Sequence, residues 1–199
     1  MRLLVASKNR GKISEIKKIY KGSIEILSPI DIGFGLDILE DGSSLRDNSL
    51  KKALAYFRKV NICTLGEDTG LFVEALNGKP GVYSARYGGG GDESNRRKLL
   101  LELEGESNRR AYFKTVIALV ISEFFFKFFE GRVDGNITEE EIGNEGFGYD
   151  PIFLPKGYNK TFGQMSADEK NSISHRKIAL KKVLDFIEEK KEKIDSFCE

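Results

Sequence analysis

The chain opens with an unbroken apolar run, Leu3-Leu4-Val5, then a polar stretch, Ser7-Lys8-Asn9-Arg10-Gly11, before Ile13, Ile16 and Ile19 recur at helical spacing. This pattern predicts a strand over 2–6, a loop, a helix over 12–20 and a second strand near 24–27, a β-α-β opening. Residues 29–42 read as loop. Leu45, Leu50, Leu54 and Phe57 then mark the core face of a helix over 44–60. A buried strand over 62–65 is expected to end at Glu67-Asp68, with Thr69-Gly70 forming a tight turn. The glycine-rich stretch 77–91 is predicted as a long loop, a rarity that suggests function. A helix over 93–104 follows, then tandem strands over 111–122 and 123–133. The second strand carries Phe124, Phe125, Phe126, Phe128 and Phe129, a density more typical of a core or a dimer face than of a ligand box. After a loop over 146–160, a final helix spans 172–190, with Ser172 or Ser174 as its cap.

That last helix has an apolar stripe of Ile173, Leu180, Val183, Leu184 and Ile187. Counting back by fours from Leu184 and Val183 puts Arg176 and His175, the only histidine, on the inward side. An unpaired buried guanidinium is costly, so Arg176 must meet a partner, a cleft or a ligand.

Composition narrows the function classes. The 199 residues suffice for one core, and 40% apolar with 32% charged residues describe an ordinary globular chain. A net charge of +1 gives no footprint for bulk nucleic-acid or membrane binding, so neither partner is expected. Two cysteines make neither a disulfide framework nor a zinc site, and Cys198 is too close to the frayable end to be expected to pair with Cys63. No secretory pattern is visible, and the longest apolar run, Val116 to Ile121, has the size of a strand; a cytoplasmic location is expected.

Five clusters could carry chemistry. Ser7-Lys8-Asn9-Arg10-Gly11-Lys12 joins a strand to a helix, where backbone N–H groups, Ser7 and Asn9 donors and Lys12 suit a phosphate; it lacks the two-glycine spacing of a P-loop, and its plainer reading is a basic turn. Glu40-Asp41 and Glu67-Asp68 are oxygen ligands of the kind magnesium takes, although acidic pairs are more often solvated turns. Asn48 and Lys52 share one helical face, with an ordinary exposed lysine as the plainer reading. Gly146-Phe147-Gly148-Tyr149-Asp150-Pro151 can admit a flat ligand beside an aromatic ring, or be a glycine-rich turn over core aromatics. Lys170 through Arg176, alone, is a capped helix start with a buried ion pair.

Together these supply phosphate donors, magnesium-type carboxylates, a stacking platform and inward-aimed donors. The sequence resembles the inosine triphosphate pyrophosphatase family along Ser7–Lys12, Glu40–Lys52, Glu67–Leu71, Pro80–Tyr87, Gly146–Phe153 and Lys170–Arg176, in the family's order and over nearly the whole chain. The resemblance implies an α/β fold, a single mixed-sheet domain over 1–199 with two lobes around a central nucleotide-binding cleft. It implies magnesium-dependent hydrolysis of non-canonical purine nucleoside triphosphates (ITP, dITP, XTP) to the monophosphate and pyrophosphate. By the same resemblance Asn9, Lys12 and Lys52 hold the triphosphate, and Ser7 and Thr69 also contact the substrate. Glu40, Asp68 and Glu67 hold Mg2+, and Asp68 also activates the attacking water. Phe147 and Tyr149 flank the base, while Asp150, Lys170, His175 and Arg176 read its edge. A homodimer is implied as well, with strand 124–129 as a candidate face. Lys8 stands where the family usually has Gly, and Asp47 where it usually has Glu.

The proposed chemistry is coherent. Attack at the α-phosphorus expels pyrophosphate, so cations must neutralise the leaving group, and no covalent nucleophile is needed. A 6-oxo purine presents an acceptor where adenine presents an amine, so buried donors discriminate against adenine. The related septum-inhibitor-like pyrophosphatases are one alternative, disfavoured by the intact Ser174-His175-Arg176 and Gly146–Pro151 runs. A catalytically silent nucleotide sensor is the other, disfavoured by the presence of Lys12, Glu40 and Asp68.

Overall fold

Side-chain caps set where the first helices begin. Asn9 accepts from the Lys12 N–H at 3.1 Å and starts α1 (Arg10–Ile19), after β1 (Arg2–Val5). Following β2 (Glu25–Leu27), Ser44 accepts from the Asp47 N–H and starts α2 (Leu45–Val60), which Asn61 closes in the left-handed conformation. The computed structural model describes all residues except 21, 23, 193 and 195–199. It continues with β3 (Thr64–Val73), β4 (Pro80–Gly81), α3 (Asp92–Glu102), β5 (Arg110–Ser122), β6 (Phe125–Ile137), β7 (Phe153–Pro155), α4 (Ala167–Ile173) and α5 (His175–Glu189). Hydrogen-bonded strand order is β2-β1-β3-β5-β6-β7, with β4 beside β3. β1 pairs parallel to β2 and β3, whereas β3–β4 and β6–β7 are antiparallel, so the expected mixed-sheet α/β class is borne out.

The chain forms two compact units. Unit 1 comprises residues 1–68, 115–131 and 176–199. Its main core joins Leu3 and Val5 of β1, Ile13 and Ile16 of α1, and Leu65 of β3 with Ile117, Leu119 and Ile121 of β5. Ala179, Leu180, Val183 and Ile187 of α5 complete it, which is the stripe read from the sequence. Unit 2 comprises residues 69–114 and 132–175, and its core collects Leu71, Leu99, Phe113, Ile137, Tyr149, Phe153 and Phe162. Rings dominate it: Phe113 and Phe153 meet edge-on at 4.7 Å, and Phe162 lies 5.2 Å from Phe153.

Three expectations are corrected. Glu67-Asp68-Thr69-Gly70 is no turn; it lies inside the ten-residue strand β3. The glycines mark close backbone approach instead: a Cβ on Gly66 would sit 1.9 Å from the Ser49 carbonyl oxygen, and one on Gly70 would sit 2.5 Å from that of Gly81. The single helix expected over 172–190 is two helices, because Ser174 between them is extended at ψ 149°. α4 has its own capping box, Ser166 with Glu169. Cys63, 2% exposed, is disulfide-bonded, contrary to the expectation from the sequence; residue 198 lies outside the described residues. Among the described residues no helix is long and apolar enough to cross a membrane.

Candidate active site

Unit 1 concentrates charge. Lys52 reaches it from α2 and is buried, not the ordinary surface lysine that its neighbours suggested. Its Nζ lies 2.8 Å from Glu40 Oε2 and 3.5 Å from Asp68 Oδ1, so two carboxylates from distant segments converge on one ammonium. Asn48, one turn before Lys52 and fully buried, donates to Asp68 Oδ2 at 3.1 Å and accepts from the Gly42 N–H at 2.9 Å. This amide ties the loop carrying Glu40 to the strand carrying Asp68. The Tyr56 hydroxyl, accepting from the Leu36 N–H at 2.9 Å, fixes the same loop further back.

Glu67, one residue before Asp68, points to a different partner set, as alternation along a strand requires. Arg176 at the start of α5 is 1% exposed and meets Glu67 through Nε, at 3.1 Å and 3.0 Å, and through Nη2, at 2.9 Å. Its Nη1 donates to Glu15 of α1. Lys12, one helical turn before Glu15, places its Nζ 3.5 Å from Glu67 Oε1. Four carboxylates (Glu15, Glu40, Glu67, Asp68) thus face three cations (Lys12, Lys52, Arg176). Ser7 accepts from the Asn9 N–H at 3.2 Å, shaping the loop that opens α1.

Protonation follows from this crowding. Burial first, and the neighbouring charges of Lys52 and Arg176 after it, lower the Lys12 ammonium below its usual value although Glu67 opposes them. Burial raises the Asp68 carboxyl, with Glu40 adding to the rise and Lys52, Lys12 and the Asn48 hydrogen bond holding it down. For Arg176, burial works against the charged form, but Glu67 and Glu15 outweigh it and hold the guanidinium protonated.

Unit 2 holds a different assembly. Asp150 and Lys170, 3% and 4% exposed, pair at 2.6 Å. Asp150 Oδ2 also accepts from the Phe147 N–H at 2.8 Å, and Lys170 Nζ stands 4.7 Å from the Phe147 ring centroid. Gly146, at φ +78°, lets the loop fold over this carboxylate, since a Cβ there would lie 2.1 Å from Asp150 Oδ2. The Tyr149 hydroxyl donates to the Ser84 carbonyl at 2.9 Å, and burial pushes its ionisation above the ordinary range. His175, 3% exposed, stacks on Phe113 at 4.8 Å. Thr69 is half-buried on β3.

The structure therefore gathers Lys12, Lys52, Glu40, Glu67, Asp68 and Arg176 within unit 1, and Phe147, Tyr149, Asp150, Lys170 and His175 within unit 2. It gives Arg176 and Glu67 to each other, an ion pair of the kind the isolated motif suggested. Two participants escaped the sequence reading. Glu15 carried a signal, a carboxylate three residues after Lys12 on one helical face. Gly66, whose close approach lets β3 lie against α2, carried none. No group of three or more His, Cys, Asp or Glu among the described residues is arranged to enclose a metal ion. Magnesium needs only one or two carboxylates when water and phosphate oxygens complete its shell, and Glu40 with Asp68 meets that requirement.

Comparison with known proteins agrees with this inventory. Residues 3–186 match the model of the Ham1 family. The dITP/XTP pyrophosphatase of Flavobacterium psychrophilum is 48% identical, covering 94% of this chain and 98% of its own. That of Aquifex aeolicus is 45% identical over 92% and 95%. Among solved structures, the Staphylococcus aureus Ham1 protein superposes with a TM-score of 0.86 at 38% identity, covering 96% of this chain and 100% of its own.

Proposed function

The chain belongs to the Ham1 family, and from that premise we propose that it hydrolyses non-canonical purine nucleoside triphosphates, dITP, ITP and XTP, to the monophosphate and pyrophosphate. In this reading all 199 residues act as one pyrophosphatase domain in the cytoplasm. The observation that carries it is the pair of carboxylates, half-buried Glu40 and buried Asp68, sharing the single ammonium of Lys52 beside Lys12. Such a set has cations for a polyphosphate and acids for a divalent ion, each stabilised by the other while no ligand is bound.

The triphosphate goes to unit 1. Lys12 and Lys52 exchange their carboxylate partners for phosphate oxygens, and the Ser7–Asn9 loop with the first N–H groups of α1 receives the chain's end. Glu40 and Asp68 would hold magnesium, which would supply charge neutralisation for the departing pyrophosphate. Asp68, its carboxyl raised by burial and positioned by Asn48, accepts the proton of the water that attacks the α-phosphorus. Glu67 serves through its ion pairs: it sets Lys12 and is held by Arg176. In this reading Arg176, which the resemblance put at the base edge, acts instead on the phosphate side through Glu67, with Glu15 as its second anchor.

The base goes to unit 2. Phe147 and Tyr149 flank it, Thr69 adds a polar contact, and Lys170 with His175 donates to the 6-oxo group, while Asp150 keeps Lys170 oriented. Adenine would set its amine against these donors, which disfavours ATP. The homodimer belongs to the same reading: Phe124 is 92% exposed and Phe126 40%, an apolar edge suited to a second copy. Release of pyrophosphate across ITP, XTP, GTP, ATP and dTTP, with magnesium or with EDTA, tests the proposal. Release from ITP and XTP that EDTA stops is the expected result; tight ITP binding without release supports the sensor reading instead.

A further inference from the structure

Gly148 lies between Phe147 and Tyr149, and its peptide groups are gripped on both sides by one helix. The Gly148 N–H donates to Asp92 Oδ2 at 2.8 Å, and the Gly148 carbonyl accepts from Arg96 Nη1 at 2.9 Å. Asp92 and Arg96 are four residues apart on α3, hence on one face. Arg96 is backed by Glu141, whose Oε1 lies 3.0 Å from its Nε, close enough for an ion pair but out of line for a hydrogen bond. Gly148 holds φ +63°, where a side chain is disfavoured although no atom would touch a Cβ there. The strained backbone conformation, rather than crowding, is what the glycine serves, and Asp92 and Arg96 hold it.

We infer that Asp92 and Arg96 are positioning residues for nucleobase recognition: they fix the Gly148 peptide and so set the angle at which Phe147 and Tyr149 meet the base. The inference deepens the proposed function and rests on it. Neither residue needs to touch the substrate. Without the grip, the Phe147–Tyr149 segment samples other conformations, and the site binds the base only through the fraction that is correctly formed. The triphosphate contacts, all on unit 1, are unaffected.

The test uses Asp92→Ala, Asp92→Asn and Arg96→Ala in the full chain. The asparagine variant keeps an oxygen that can accept from Gly148 but loses the charge at the start of α3, separating the grip from a helix-terminus effect. Readouts are KM and kcat for ITP, the inhibition constant of inorganic tripolyphosphate, which has no base, and amide hydrogen exchange at Gly148. Both alanine variants should raise KM for ITP about tenfold, as loss of one hydrogen bond implies. Tripolyphosphate inhibition and kcat should hold, exchange at Gly148 should accelerate, and Asp92→Asn should restore wild-type values. Unchanged exchange in the alanine variants, equal weakening of ITP and tripolyphosphate, or an asparagine variant as impaired as alanine would overturn the inference. If the wild-type protein releases no pyrophosphate from ITP, the proposed function has failed, and exchange at Gly148 still decides whether the grip exists.

Discussion

Unit 1 and unit 2 each bury charged residues, but in opposite styles. In unit 1, Lys12, Lys52 and Arg176 share four carboxylates in a network where several groups have more than one partner. In unit 2, Asp150 and Lys170 form one short pair walled by Phe147 and Phe162, with Lys170 Nζ 4.7 Å and 5.7 Å from their ring centroids. A network of shared partners can accept a polyphosphate and its cation by rearranging which charges meet. An aromatic wall with one fixed pair suits a flat, neutral, directional ligand. The difference teaches that charge exchange and shape reading call for different burial, and the proposed function assigns one to each unit.

The largest effect should come from Asp68→Asn, which removes the proposed proton acceptor while leaving an oxygen near Asn48 and Lys52. A drop in kcat on the order of 10²–10⁴, with ITP binding retained, is expected from loss of a general base. Unchanged kcat in a pyrophosphate-release assay would take Asp68 out of the mechanism. In the wild type, the raised Asp68 pKa means that kcat/KM should fall as pH drops through a value above the ordinary aspartate value of 3.8. The Asn variant should lose this limb.

Arg176→Ala comes next, because it strands Glu67 and Glu15 in the interior. Breaking a buried pair from one side costs about 3–5 kcal/mol, measurable as a lowered urea midpoint. Stability unchanged within error would show that the network is not what holds α5 against β3. Phe147→Ala probes the other unit: loss of the proposed base-stacking ring should weaken ITP by about 1–3 kcal/mol while leaving tripolyphosphate inhibition intact. Equal loss for both ligands would erase the division of labour between the units.

The smallest effect belongs to Asp31, outside both clusters. Its hydrogen bonds from Lys17 and Ser28 lower its pKa from 3.8 to about 2. The folded value lies below the unfolded one, so its stabilisation is present above about pH 4 and fades as pH falls toward about 2. With its side chain 38% exposed, screening limits the effect to roughly half a kcal/mol or less. Asp31→Asn should flatten that small acid-side slope in thermal melts and leave turnover unchanged.

Much of the fold was legible where periodicity was strong. The stripe Leu180, Val183 and Ile187 correctly identified the inward face of α5, and burying Arg176 on that face correctly demanded a partner. Legibility failed where glycine was ambiguous. Gly70 after Glu67-Asp68-Thr69 suggested a turn, whereas it permits β4 to approach β3. It failed again at Ser174, since a serine before a helix reads equally as a cap for one helix or a break between two.

The sequence alone determined which chemical groups exist and in what order: the Ser7–Lys12 loop, the acids at 40, 67 and 68, the aromatic-glycine run, and the one histidine beside a buried arginine. Short-range rules of periodicity and capping act within a few residues, so they could be read without a structure. Which acid pairs with which cation was decided only in three dimensions. Glu67 and Arg176 are 109 positions apart, and Glu15 and Arg176 are 161 apart. Nothing local distinguishes Glu67 from Asp68, yet strand alternation turns one toward Arg176 and the other toward Asn48 and Lys52. Burial then makes those partners binding, because each charge taken from water needs a counter-charge within reach.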